Sequence, residues 1–346
     1  MPRHRSTALA RAAALIAVAV SVAAGLAAGG PTAGPAAQAA TPVAVLTPAQ
    51  IQAASTRTLY NTGLAVQPGN QASQVVSLLR TKYHATAEAN EIDQIASQPV
   101  AVWLGDWYSR AQLVKVITAS IASAAKTGRT PVFVTYAIPD RDCGGYSAGG
   151  LTASQYLAWN QTIATALRGH RSAVLVEPDS LAMISSCPSV ADTRLPLIRS
   201  AVDQLTSDGV VTYLDAGNSN WVAPAAMAQR LEAAGVGEAR GFFTNVSNFY
   251  PTSNEVSYAN RVSALTGGSH YVIDTSRNGA GWKGTWCNPT GAALGANPAV
   301  ASGSTKLDAT LWVKTPGASD GTCNGGPAAG TWWERYALGL VKNRAR

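Results

Sequence analysis

The chain has 346 residues, with 26 Lys and Arg against 19 Asp and Glu, and four cysteines. Three of those arginines (Arg3, Arg5, Arg11) precede an apolar stretch from Ala12 to Ala28 and the segment Ala37 to Ala40, Ala-Gln-Ala-Ala. That order reads as a secretory signal peptide over residues 1–40; a retained membrane anchor is the competing reading, for which the apolar core is short. Without those three, 23 basic residues face 19 acidic ones, and so small a surplus, with no basic run, excludes a nucleic-acid-binding surface. The remaining residues 41–346 suit a single extracellular α/β domain with no membrane association after signal cleavage, since only 13% of residues are charged and no Pro/Thr/Ser linker divides them.

In chain order, Thr47 to Gln98 is a lead-in with helices expected over Gln71–Tyr83 and Asn90–Ser97, packed against the rest of the domain. A strand is predicted over Val100–Leu104. Ser109 then caps a helix that reaches Lys126 and stops at Gly128. A strand over Pro131–Tyr136 is followed by a helix over Thr152–Leu167. The next strand, Ala173–Val176, precedes a helix over Asp192–Leu205 that Pro196 can disturb. Strands over Val210–Leu214 and Gly241–Val246 come next, and Thr252-Ser-Asn-Glu255 fits a capping box for a helix to Leu265. A strand over His270–Ile273 leads into Asn278 to Leu307, a Gly-, Ala-, Asn- and Pro-rich stretch too long for an ordinary connection and a candidate active-site loop. A last strand over Thr310–Val313 and a helix over Trp332–Val341, capped by Thr331, end the domain. Strands alternating with helices imply a parallel sheet, in which every helix returns the chain so that all C-terminal strand ends share one crevice.

Residues just past those ends therefore converge: Asp142, Asp179, Asp215, Asn245, Asp274, Lys314 and, slightly further on, Asp320. Asp179 sits beside Pro178 and apolar Leu181, Ala182 and Met183, which would desolvate it and raise its pKa as a proton donor requires. An N-cap aspartate is the competing reading. Glu177 points into the fold as a structural partner, and a surface salt bridge competes for Asp142 beside Arg141. Trp103, Trp107, Tyr136, Trp221, Trp282 and Trp286 lie at or beyond strand ends, and flat apolar faces beside carboxyls and amides suit a sugar. Trp159, mid-helix, reads as core. Four cysteines in an exported chain should pair. Of three connectivities, Cys143 with Cys187 and Cys287 with Cys323 is preferred, because each joins loops on the carboxylate-bearing face. The isolated histidines His84, His170 and His270, with no Cys-x-x-Cys, give no metal site. Gly145-Tyr-Ser-Ala-Gly149 matches a nucleophile elbow with Ser147, but it lies eleven residues past Tyr136 and its only late histidine, His270, opens a strand, so a serine hydrolase is disfavoured.

Seven segments in order, Tyr136-Ala-Ile-Pro-Asp-Arg-Asp-Cys143, Val176-Glu-Pro-Asp-Ser-Leu181, Tyr213-Leu-Asp-Ala-Gly217, Asn245-Val-Ser-Asn-Phe-Tyr250, Ile273-Asp-Thr-Ser-Arg-Asn-Gly279, Trp286-Cys-Asn-Pro289 and Leu311-Trp-Val-Lys314 through Asp320-Gly321, resemble the motif series of glycoside hydrolase family 6, the inverting cellulases. The resemblance spans Tyr60 to the C-terminus. It implies a distorted, incomplete, about seven-stranded parallel β/α barrel with a cleft at the strand C-terminal ends. It also implies a secreted, monomeric endo-β-1,4-glucanase that acts on cellulose or a related β-glucan without cofactor or metal.

By the same resemblance Asp179 is the general acid, Asp142 its supporting aspartate on the water side, and Asp320 the residue often proposed as base, a disputed role. Tyr136 lies under the distorted sugar, and Ser147, or Ala148 by an offset of one, helps hold the water. Asp215, Trp221, Asn245, Asn248, Trp286 and Lys314 are the remaining substrate-binding positions, and the cysteines match the family's two bridges. Ala318 and Asn218 depart from the family's Glu and His, which affects subsites rather than the acid. The 36-residue spacing of Cys287 and Cys323 suits an open-cleft endo enzyme; an exo-acting cellobiohydrolase or a non-catalytic glycan-binding protein are the alternatives.

Overall fold

The computed structural model describes residues 43–303 and 305–344, so the signal-peptide assignment over 1–40 falls outside the described residues. The lead-in carries α1 (Pro48–Ala53), α2 (Thr56–Tyr60), α3 (Gln71–Thr81) and α4 (Thr86–Ala96). The main body then runs β1 (Val102–Gly105), α5 (Arg110–Ala125), β2 (Val132–Tyr136), α6 (Ala153–Leu167), β3 (Ala173–Val176), α7 (Ala191–Ser207), β4 (Val211–Asp215), α8 (Pro224–Ala233), β5 (Gly241–Thr244), α9 (Thr252–Leu265) and β6 (His270–Asp274). A two-residue β7 (Ala299–Val300), β8 (Leu307–Leu311) and α10 (Glu334–Lys342) complete it. The strands form one curled sheet in the order β1-β2-β3-β4-β5-β6-β8-β7, parallel except for β7.

Side chains alternate across this sheet as strand geometry requires. Val132, Val134, Ala173, Leu175, Val211, Tyr213, Phe243, Val272 and Ala309 fill the inside of the curl. Phe133, Val174, Val176, Leu214, Phe242 and Ile273 face outward onto the helices. Both faces are thus buried, which is why the strands read as unbroken apolar runs. The first and last parallel strands meet through a single bridge, Val100 with Trp312, and the Trp103 indole donates to the Val313 carbonyl at 2.9 Å. The barrel is therefore incomplete.

The first part of the lead-in, α1, α2 and Leu64, plugs the end of the sheet opposite the catalytic loops, while α3 and α4 pack beside Trp312 and α10. Ile51, Leu59, Tyr60 and Leu64 pack inside the curl. There Asp308 accepts from Arg240 Nε and Nη2 at 2.8 Å each and from the Tyr213 hydroxyl at 2.6 Å. The Tyr60 and Tyr213 hydroxyls are 2.9 Å apart, and Arg240 also donates to the Ile51 carbonyl. Burial by itself would raise the Asp308 pKa, but the bonds from Arg240 and His270 hold it below the ordinary value.

Capping explains several helices and corrects others. Ser109 and Thr152 each form a reciprocal box with a glutamine three residues on. The box expected at Thr252 does not form; Pro251 takes the cap position, and buried Glu255 accepts the Ser219 amide at 3.0 Å instead. Thr331 caps nothing, for α10 starts two residues later than expected, after Trp333. Pro196 is accommodated inside α7. The last parallel strand ends at Leu311, not Val313, because the Asp274 carboxylate draws the Val313 and Lys314 amides, at 3.3 and 3.0 Å, away from any ladder. Helix α8 was not anticipated, although Pro224 at its first position is a start signal.

Candidate active site

The turn after β3 carries Asp179 and is held from four sides. Glu177 and Asp179 both adopt positive φ, 51° and 70°. The Glu177 carboxylate accepts from the Ala137 amide at 3.0 Å and the Ile138 amide at 3.2 Å. Asp215 Oδ2 accepts from the Leu181 and Ala182 amides at 3.1 Å each. Arg194 donates to the Ser180 carbonyl and Arg230 to the Leu181 carbonyl. Asp179 itself makes no side-chain hydrogen bond to another described residue, and the short helix beyond it has no side-chain cap, so the N-cap reading fails. Burial in a site already holding Asp215 and Asp142 raises the Asp179 pKa well above the carboxylate range, with Lys314 opposing. That shift favours the protonated form, the one a general acid needs.

Asp142 enters from the loop after β2, at φ 60°. Its Oδ2 accepts the Ser147 amide at 2.7 Å, and a Cβ on Gly145 would lie 2.5 Å from that same oxygen, so a side chain there would push the Asp142 carboxylate out of place. Arg141 does not pair with Asp142 as the salt-bridge reading required. Its Nη1 meets Asp106 Oδ1 at 2.8 Å, its Nε meets the Ser147 carbonyl at 2.8 Å, and its guanidinium lies 4.5 Å from the Tyr136 ring centroid. Burial, then Asp179 and Asp142, raise the Tyr136 pKa, so that phenol is near enough to feel both aspartates. The same loop reaches across the cleft: Tyr146 packs 6.1 Å from Trp286 and over Gly321, where a Cβ would strike its ring.

Asp320 is held differently. Arg277 Nη1 lies 2.8 Å and the Asn288 amide 2.9 Å from its Oδ2, and Lys314 Nζ lies 3.1 Å from its Oδ1. Burial favours the neutral acid, yet Arg277 and Lys314 together keep the Asp320 pKa below the ordinary value. A carboxylate paired to two cations is a weak proton acceptor, and this geometry counts against Asp320 as the base. Lys314 in turn has its pKa lowered by burial, against the pull of Asp320.

Several expected sugar contacts occupy other roles. Asp215 is 2% exposed and its side chain accepts the Leu181, Ala182 and Gly217 amides, the last at 3.0 Å, so it positions the Asp179 turn. Asn245 is fully buried and pins the next loop through the Tyr250 amide and the Tyr250 and Asp274 carbonyls. Asn248 is half-buried and donates to the Val246 carbonyl. Trp221 is half-buried, while Trp286 stands 49% exposed on the rim. Both disulfides, Cys143–Cys187 and Cys287–Cys323, join loops on this face. Ser147 belongs to a loop rather than a strand-to-helix elbow, and His270 bonds Asp308 at the opposite end of the sheet, so no serine triad assembles.

Residue spacing gave Arg277 and Asp106 no part in the site, and it placed Asp274 on the rim without a role. Each is a polar residue packed next to a loop that carries a candidate, a property that spacing does not reveal.

The profile of Glycosyl hydrolases family 6 matches residues 60–344. The chain belongs to glycoside hydrolase family 6. Endoglucanase A of Cellulomonas fimi is 42% identical over 252 residues, which cover 73% of this chain and 56% of that protein. The chain thus spans little more than half the length of this relative. Endoglucanase 1 of Streptomyces halstedii is 34% identical over 87% of this chain and 95% of its own length. The solved endoglucanase Cel6 of Mycobacterium tuberculosis, in complex with methyl-cellobiosyl-4-deoxy-4-thio-β-D-cellobioside, superposes with a TM-score of 0.76 at 41% identity, covering 85% of this chain and 99% of that one. The incomplete barrel of this family 6 chain is the fold it shares with that solved endoglucanase.

Proposed function

We propose that this protein is a secreted, inverting endo-β-1,4-glucanase hydrolysing internal bonds of cellulose or a related β-glucan. The carrying observation is the place of the Asp179 carboxyl, half-buried on the turn after β3 beside Asp142 and Asp215 in a cleft rimmed by Trp221 and Trp286, where burial and those neighbours raise its pKa. Asp179 gives its proton to the glycosidic oxygen as the bond breaks. Asp142, with the Ser147 loop and Tyr136, lies on the side from which water attacks, and its carboxylate takes up the proton that water gives up as its oxygen bonds to the anomeric carbon. Asp320 remains an anion whose pairing with Arg277 and Lys314 holds those two side chains in place rather than accepting a proton. No covalent intermediate forms, because a water separates the anomeric carbon from the carboxylates.

Residues 1–40 serve as the signal peptide and 41–346 as a single catalytic domain that acts as a monomer. Two disulfides suit an oxidising compartment. No helix among the described residues is long and apolar enough to cross a membrane. The endo mode draws support from relatives that bear the name endoglucanase and from the short spacing of the last two cysteines.

The test is Asp179→Ala assayed on cello-oligosaccharides and on an aryl cellobioside with a very good leaving group. A proton donor matters only where the departing oxygen is basic, so the first activity should vanish and the second persist. Equal loss on both would remove Asp179 from the acid role. Wild-type enzyme should also thin carboxymethylcellulose before much reducing sugar appears; cellobiose as sole early product would place it with exo-acting enzymes.

A further inference from the structure

Among the described residues three tryptophans are exposed, Trp107, Trp282 and Trp286, and all three stand on loops leaving the C-terminal ends of strands. Trp286 already belongs to the proposed cleft. Trp282 has no role in the chemistry above, yet its placement is highly determined. Its ring lies parallel to that of Tyr250, with centroids 5.0 Å apart and planes at 4°. One face is therefore covered by Tyr250, yet the residue stays 39% exposed.

Tyr250 is itself fixed by three loops. Its amide donates to Asn245 Oδ1 and its carbonyl accepts from Asn245 and Asn278, while its hydroxyl accepts from Asn220 Nδ2 at 2.9 Å. Asn220 immediately precedes Trp221, and Trp282 lies four positions before Trp286. The stacked pair thus joins the loop of one cleft tryptophan to the loop of the other. We propose that Trp282, backed by Tyr250 and flanked by Asn220, is a further glucan-binding platform on the cleft rim, engaging a glucose unit beyond those held beside Trp221 and Trp286. The proposal rests on the glucanase reading.

The chemistry fits a pyranose. Indole offers a flat apolar surface for the axial C–H face of a β-linked glucose, and the exposed Asn220 amide, whose Oδ1 has no partner among the described residues, faces hydroxyl edges. Stacking on Tyr250 sets the ring before any ligand arrives, so little side-chain entropy is lost on binding. Continuity with the cleft commits the site to a continuing β-1,4-glucan chain rather than to a protein partner. A pair that merely pinned the loop from Asn278 onward would alter stability and would affect all substrates alike.

Trp282→Ala and Trp282→Phe are to be compared with wild type on a series from cellotetraose to cellohexaose and on a long soluble β-glucan. The alanine variant should lose roughly two- to tenfold in kcat/KM on the longest substrates, through KM, and nothing on the shortest oligosaccharide cleaved. The phenylalanine variant should recover most of that loss. Affinity electrophoresis through gels containing soluble β-glucan supplies a readout independent of turnover, and its retardation should weaken in Trp282→Ala. A loss independent of chain length, or unchanged KM and retardation, overturns the platform. A wild-type protein retarded by glucan through Trp282 but inactive on every β-glucan would uphold the platform and overturn the enzymatic reading.

Discussion

Glu177→Gln removes a carboxyl that has no contact with solvent and lies two residues from the proposed acid. Burial lifts the Glu177 pKa from 4.5 to about 7, against the pull of the Ala137 and Ile138 amides. A carboxyl whose folded-state pKa is raised contributes stability that is fully present below pH 4.5 and is lost as pH climbs through 7. Each tenfold change in proton activity across that window is worth about 1.4 kcal/mol, so wild type should lose about 3 kcal/mol relative to a side chain that never ionises. Glutamine is such a side chain. It keeps the shape and one acceptor, but it turns an NH2 toward an amide donor, a penalty of about 1–3 kcal/mol that does not depend on pH.

The assay is chemical denaturation of both proteins by tryptophan fluorescence between pH 4 and 8, compared at constant ionic strength. Other raised carboxyls, Asp215 at about 6 among them, titrate in both proteins and cancel in the difference. At pH 4 the variant should be the less stable, and the gap should close or reverse by pH 8. A stability difference that stays flat across this range would refute the claim that Glu177 is held neutral by burial.

Asp308→Ala should cost about 3–5 kcal/mol, read from the denaturation midpoint, because it strands the buried Arg240 guanidinium; a loss below 1 kcal/mol would mean the network is not closed. Replacing both Cys143 and Cys187 by serine opens a 44-residue separation, for which the chain-entropy relation gives about 4 kcal/mol, and unreduced peptide mapping of wild type should return only the two pairs described. Proton NMR of the first product should show the α anomer, as single displacement by water requires; an initial β anomer would rule out inversion.

Much of this protein is legible before folding. Alternation of apolar runs and helical periods announces the parallel sheet, and the order of seven motifs announces the family. Helix starts at Ser109 and Thr152 arise from local hydrogen bonding between residues three apart, so sequence suffices for them. Local rules failed where a distant partner outbid a near one. Glu255 abandons its capping box for Ser219, and Asp274 ends β8 by taking two amides 39 and 40 residues away.

The site divides along the same line. Residue type and position past a strand pointed to Asp142, Asp179 and Asp320, and apolar neighbours to a raised pKa for Asp179, but the charges acting on each were not legible. Those depend on what the fold brings near: burial, then Asp215 and Asp142, raise Asp179, while Arg277 and Lys314 hold Asp320 down against burial. Asp215 and Asn245 looked like sugar ligands in the sequence and became supports once backbone groups had claimed their oxygens. Desolvation and through-space charge depend on distances between segments far apart in the chain, and only the tertiary structure sets those distances.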